Sequence, residues 1–213
     1  MSRARPSLNL NGYTDLPPGK VAAVVTYLEM RHRPRLKRRS KQGLSLKRLS
    51  DPRRFAELFR AVGEPWLWFS RLAMSPEQLE RLLADPAIEA FALVEAGRDI
   101  GLLELDFRSA GDCELSYFGL VPDAIGKGAG RILMDEAIRR AFRRPIRRLV
   151  LHTCSLDHPG ALAFYQRSGF VPYKRAVEVA DDPRLTGRAS RGSAPHIPII
   201  GAVPRRKGGR TSE

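Results

Sequence analysis

The hydrophobic positions of the chain switch between period two and the helical period, and each switch marks an element. Residues 19–30 are apolar and β-branched enough for a first strand. Asp51 and Pro52 then open a helix, with Asp as N-cap and Pro at the first helical position. Phe55, Leu58, Phe59 and Val62 recur at helical spacing, and Gly63 stops it. Trp66, Trp68 and Phe69 follow as a short aromatic cluster. Ser75-Pro76-Glu77-Gln78 is a capping box ahead of Leu79, Leu82 and Leu83, and Asp85-Pro86 closes that helix. Strands are predicted at 88–95 and 100–107 around the hairpin turn Ala96-Gly97-Arg98-Asp99, and at 113–121 after Gly111-Asp112. Beyond Pro122 the stripe Met134, Ala137, Ile138, Ala141 predicts a helix that Pro145 breaks, with Asp135/Arg139 and Glu136/Arg140 as exposed pairs. Residues 147–153 read as a strand, 159–168 as a short helix stopped by Gly169, and 170–179 as a last strand. The pattern is α+β, with antiparallel hairpins and one strand–helix–strand unit.

Composition narrows the class. In 213 residues, no run approaches about 18 apolar positions, so no membrane span is expected, and no apolar signal-peptide core follows Met1. Cys113 and Cys154 are too few for a disulfide framework or a zinc cage; they read as reduced thiols, and the expected location is cytoplasmic. The net charge of +14 is uneven. Residues 31–54 carry eleven Lys/Arg against Asp51 alone, and residues 184–213 carry seven against Glu213 alone. The stretch between them is close to neutral. The basic runs suit contact with a polyanion, but no aromatics interleave the first run, and it has no helix-turn-helix, RNP or zinc-finger spacing. A solvated, partly disordered stretch is the plain reading. The expected organisation is an N-terminal segment 1–18, a domain 19–180 with a basic insertion at 31–50, and a basic, flexible tail 181–213, whose Ile197-Pro198-Ile199-Ile200 could dock on the domain.

The most informative stretch is Leu120-Val121-Pro122-Asp123-Ala124-Ile125-Gly126-Lys127-Gly128-Ala129-Gly130-Arg131. A strand ends, a Pro-led turn follows, and three alternating glycines open an amphipathic helix. Glycines let backbone approach a ligand closely, and a helix N-terminus offers unpaired N–H groups and about half a positive charge, which suits a diphosphate. The spacing is neither a P-loop nor G-x-G-x-x-G, since Arg131 stands three after Gly128.

Taken with the following helix, strand and A-x-x-x-Y-x-x-x-G-F run (Ala161, Tyr165, Gly169, Phe170), the loop resembles that of the GNAT superfamily of acetyl-CoA-dependent N-acetyltransferases. The detailed resemblance covers about residues 112–178. It implies a mixed, mostly antiparallel sheet flanked by helices in three α/β/α layers. It also implies acetyl-CoA as co-substrate and an amine acceptor, with a homodimer as one possible assembly. Phe118, Gly119 and Leu120 match the strand edge that pairs with pantetheine in the family, and Gly126, Lys127, Gly128, Ala129, Gly130 and Arg131 match the pyrophosphate loop. Ile125 stands where the family loop usually opens with Gln or Arg, leaving Lys127 and Arg131 to supply charge. His158 stands where the family often has an Asn on the cofactor; it could equally help cap the helix after Asp157.

Acetyl transfer to an amine needs a base for the ammonium, a donor for the oxyanion and an acid for the leaving thiolate. The resemblance implies the Leu120 backbone N–H as donor and Tyr165, whose phenol pKa of about 10 suits a thiolate, as acid. It implies Glu114 as base, placed by simple alternation on one strand face with Ser116, Phe118 and Leu120, and Glu104 is the reserve. Thr153 stands where some N-terminal acetyltransferases place a glutamate, and His152 and Cys154 read as core residues beside it. No metal spacing is present. The expected function is therefore direct N-acetyl transfer from acetyl-CoA to a primary amine. An acyl-CoA sensor, or a nucleic-acid-associated protein using the basic segments, is the alternative.

Overall fold

The computed structural model describes residues 8–36 and 42–201. Much of the expected N-terminal segment, part of the basic run and the end of the tail lie outside them. The strands are β1 (Lys20–Met30), β2 (Leu44–Arg48), β3 (Ile88–Glu95), β4 (Arg98–Asp106), β5 (Asp112–Leu120), β6 (Arg148–Cys154) and β7 (Val171–Asp181). The helices are α1 (Pro52–Gly63), α2 (Pro76–Ala84), α3 (Ala129–Ala141) and α4 (Ala161–Arg167). One sheet runs β2-β3-β4-β5-β6-β1-β7, antiparallel throughout except between β5 and β6.

Local chemistry sets the element ends. The Asp51 carboxylate accepts from Arg53 N–H at 2.8 Å and caps α1. Ser75 and Gln78 cap α2 reciprocally, each side chain meeting the other's backbone N–H. Ala96 and Gly97, at φ +50° and +81°, make the two-residue turn between β3 and β4.

Helices cover both faces of the sheet. A Cβ on Gly119 would meet Val62 of α1 at 2.5 Å, whereas the neighbouring Phe118 stacks on Phe164 of α4 and Leu120 lies against Gly130 of α3. Consecutive residues on a strand point to opposite faces, so α1 sits on one side and α3 and α4 on the other. Phe55, Phe59, Leu102, Leu103, Leu105, Leu133, Met134 and Ile138 are fully buried between these layers.

Three expectations are corrected. The basic insertion at 31–50 contains β2, whose five residues pair with β3 from Leu44↔Glu95 to Arg48↔Phe91. Leu44 and Leu46 pack on the core, while Arg48 donates to the Ile88 carbonyl at 2.6 Å and lies over the Phe91 ring. Asp135 is buried within 3.6 Å of the Arg131 guanidinium, and Glu136 takes both Arg139 and Arg140. The segment 182–201 is irregular, as its Gly and Pro content implied, but packed. Asp182 and Arg184 form a buried pair at 2.8 Å, and Arg184 also donates to the Ser193, Ala194 and Ile197 carbonyls. Ser190 and Ser193 donate to Glu64, and Gly19 N–H donates to Ile200 O at 2.7 Å, so the apolar run is tied down through its backbone while the Ile200 side chain stays exposed. No helix among the described residues is long and apolar enough to cross a membrane.

Candidate active site

The parallel seam between β5 and β6 is three residue pairs long: Asp112↔Arg148, Cys113↔Leu149 and Glu114↔Val150. Past Glu114 the strands part, leaving the β6-facing edge of β5 from Leu115 to Leu120 without a strand partner among the described residues. The departure coincides with a β-bulge. Leu105 pairs with Leu115 but Glu104 with Tyr117, so Ser116 is the extra residue, and a bulge bends its strand. In the opening lies a cavity of about 350 Å³, within the range of small-molecule sites. Phe118, Gly119, Leu120, Ile125, His158 and Tyr165 are all in its wall; all but Ile125 are candidate site residues from the sequence.

The bulge overturns one expectation. It shifts the alternation, so Glu114 does not share a face with Phe118 and Leu120. It lies on the α1 side, where its Oε1 is 3.5 Å from His152 Nδ1. Glu114 is not in the cavity wall but His152 is, half-exposed and not a core residue. The hydrogen bond to Glu114 raises the His152 pKa against the opposing effect of burial. Cys154 also lines the cavity, its thiol pushed up to about 11 by desolvation, so it stays protonated at neutral pH. Glu104, the reserve base, is fully buried and clamped by Arg71 at 2.6 Å, away from the cavity wall.

Beyond Ile125 the glycine loop climbs to α3. Gly126 and Gly128 take φ of +81° and +85°, which a side chain would resist, and a Cβ at either would meet nothing within 4 Å. Gly128 is the N-cap of α3 and no side chain caps the helix; Arg131 N–H donates to Gly128 O, and no partner among the described residues meets the Ala129 and Gly130 N–H groups. Lys127 is exposed. Arg131 differs from expectation: it donates to the Arg167 carbonyl and to Ser168 Oγ at 3.0 Å, tying α3 to the end of α4 instead of standing free at the loop. Tyr165 is buried among Phe118, Phe164 and Phe170, with its hydroxyl without a hydrogen-bond partner among the described residues. Burial pushes that hydroxyl's pKa up, so it is a proton donor at neutral pH.

A family model described as the acetyltransferase (GNAT) family matches residues 55–170, more than half of the chain. The chain belongs to the GNAT acetyltransferase family. It is thus an acyltransferase, and solved structures agree on its fold. A GCN5-related N-acetyltransferase from Sphaerobacter thermophilus is 19% identical with a TM-score of 0.56, covering 78% of this chain and 52% of its own. One from Kribbella flavida is 16% identical with a TM-score of 0.54, covering 79% and 63%. An aminoglycoside acetyltransferase from an uncultured soil metagenomic sample is 17% identical with a TM-score of 0.51, covering 60% and 88%. At these identities the likeness is one of fold, and this chain spans only about half to two-thirds of the first two proteins. No curated protein matches it.

The GNAT cavity also contains Asp157, Tyr117 and Glu178, to which the sequence reading gave no role, beside the aromatic cluster, which it left open between an acceptor pocket and the core. Asp157 is the polar hub of its floor: Oδ1 accepts from Trp68 Nε1 at 3.1 Å, and Oδ2 accepts from Thr153 Oγ1 and Cys154 N–H, each at 2.8 Å. Its signal was an acid between the end of a strand and a Pro-Gly helix entry, a common place for a carboxylate that collects backbone N–H groups. Trp66, Trp68, Phe69 and Tyr117 form the wall on the α1 side, and Glu178 reaches the cavity from β7. His158 accepts from Gly160 N–H at 3.0 Å through Nδ1 and sits edge-on to Trp66, so it supports the turn into α4 while lining the site. Among the described residues, no group of three or more His, Cys, Asp or Glu is placed to hold a metal ion.

Proposed function

We propose that this GNAT acyltransferase moves an acetyl group from acetyl-CoA directly to a primary amine. The observation that carries the reading is the meeting, in one cavity, of the unpaired β5 edge with the buried Tyr165 hydroxyl, with the uncapped glycine loop continuing from its wall. A chain of amides such as pantetheine can add to a bare strand edge beside Phe118, Gly119 and Leu120 as another strand would. The diphosphate then reaches the N–H groups between Gly126 and Arg131, where the helix dipole and Lys127 favour negative charge.

The acceptor enters from the side of Trp66 and Trp68. Its ammonium proton passes to Glu114 by way of His152, which touches Glu114 and lines the cavity. The amine nitrogen bonds to the thioester carbon, and the oxyanion draws on the Leu120 backbone N–H. The C–S bond breaks, Tyr165 gives its proton to the thiolate, and the second proton that leaves the nitrogen as the amide forms restores the Tyr165 hydroxyl by way of water. Calorimetric titration with acetyl-CoA tests the binding half. The native protein should bind at about micromolar strength, and Gly128→Glu and Lys127→Glu should each weaken binding at least about tenfold by setting a carboxylate against the diphosphate. No heat from the native protein, or undiminished binding in both variants, refutes the site.

A further inference from the structure

We infer that the acceptor is a cationic amine on an apolar, largely aromatic body that carries no carboxylate or phosphate. This inference rests on the acetyl-transfer reading above and specifies the substrate of the same site.

The charge of the cavity is opposite to the charge of the chain. In a protein of net charge +14, no Lys or Arg among the described residues lines it, whereas two carboxylates, Asp157 and Glu178, do. Of the cations that come close, Arg71, stacked over the Tyr117 ring at 5.0 Å, is tied to Glu104, Arg184, next to the lining residue Pro183, is tied to Asp182, and Lys174 lies outside the wall over the Tyr27 ring. The other titratable groups of the wall are His152, His158, Tyr117, Tyr165 and Cys154. His152 is held to Glu114, His158 to Gly160 N–H, and Tyr117 to Ser70. None of these is a standing cation free to take an acid group. An amino acid or an acidic metabolite would bring a carboxylate into this space with no guanidinium or ammonium to meet it, and desolvating an unpaired charge is costly.

The apolar part of the wall gives the other half of the description. Trp66, Trp68, Phe69 and Tyr117 offer ring faces and edges, which attract cations and pack against flat hydrocarbon. Glu178 is exposed at the β7 side, where it can draw an ammonium inward.

Matched substrates decide the matter. The purified chain, with acetyl-CoA, would be given phenethylamine and phenylalanine, then tryptamine and tryptophan, and thiol release would be followed with a chromogenic disulfide. Acetyl-CoA binding would be measured in parallel by calorimetry. The amine of each pair should exceed its amino acid by at least about 30-fold in kcat/KM, the scale set by an unpaired carboxylate. Glu178→Lys should lower the amine's kcat/KM about tenfold and narrow the gap between the pair, with acetyl-CoA affinity unchanged. Equal or better use of the amino acid overturns the inference. So does turnover of neither amine when acetyl-CoA still binds, which leaves the cofactor site standing and removes this acceptor class. Loss of acetyl-CoA binding itself brings down the acetyl-transfer reading, and the acceptor class with it.

Discussion

Arg71→Ala should cost this protein more stability than any exposed charge change, and the cost should fade in acid. Glu104 is fully buried on β4, and Arg71, which is hydrogen-bonded to it, is itself mostly buried. Desolvation pushes the Glu104 carboxyl above the usual range even with Arg71 pulling it down. Without Arg71 the carboxylate loses its hydrogen-bonded counter-charge, Arg108 being paired with Asp106, and the cheapest escape is to take up a proton. Protonating a carboxyl of ordinary pKa about 4.3 at pH 7 costs about 3.7 kcal/mol, which caps the loss near the 3–5 kcal/mol typical of breaking a buried pair. The folded state then binds the proton more tightly than the unfolded chain. Stability is therefore fully retained below the unfolded value and falls as pH rises toward the raised folded one. Urea unfolding should show Arg71→Ala losing about 3–4 kcal/mol at pH 7 and regaining roughly 2–3 kcal/mol by pH 5. Arg71→Met with Glu104→Leu should come back to within about 1.5 kcal/mol of the native protein at both pH values, because an apolar pair replaces a buried ionic one at little cost. A loss below about 1 kcal/mol at pH 7, or one unchanged at pH 5, would refute the account.

Three further outcomes follow from the site. Tyr165→Phe keeps the aromatic packing and removes the proton donor, so kcat should fall about 10²-fold with acetyl-CoA affinity unchanged by calorimetry; unchanged kcat removes Tyr165 from the chemistry. Glu114→Gln takes away the carboxylate charge that raises His152, so the His152 ring protons, followed by NMR, should titrate at lower pH, and the acid limb of kcat/KM should move down with them. Asp157→Ala strands the Trp68 indole N–H, the Thr153 hydroxyl and the Cys154 N–H; denaturant unfolding should show a loss of about 2–3 kcal/mol, and a loss under about 0.5 kcal/mol would mean that water replaces the carboxylate fully.

Most of the frame was legible because its signals are local. Asp51, the Ser75 capping box and the Ala96-Gly97 turn act within four residues of themselves, and each operates as its spacing implied. The same holds for the loop glycines, whose positive φ is a backbone demand visible in residue type alone. What was hidden depends on distant partners. β2 lies in a basic run, and its strand character comes from pairing with β3 rather than from Leu44-Ser45-Leu46-Lys47-Arg48 themselves. The bulge at Ser116 leaves no trace in β5, since it is a mismatch with β4, yet it decides which face Glu114 occupies. Arg131 looked like loop charge because nothing in its neighbourhood announces the α4 end that it holds.

The short seam between β5 and β6 divides the sheet by birth order as well as by shape. Strands β2 to β5 follow one another in the chain, β3 to β5 through short turns and β2 by way of α1 and α2, so that half can fold as it leaves the ribosome. The other half is β6-β1-β7, in which the first strand made, β1, has both neighbours near the end of the chain: Thr26 faces Thr153 on one side and Arg175 on the other. Until they emerge, β1 carries two bare edges and the apolar side chains of Val21, Val24, Val25 and Leu28. Because Gly19 is hydrogen-bonded to Ile200, joining residue 201 to residue 19 and opening the chain before Leu44 would preserve every strand neighbour among the described residues. Such a circular permutant would make its most vulnerable strand last, when both partners are already waiting.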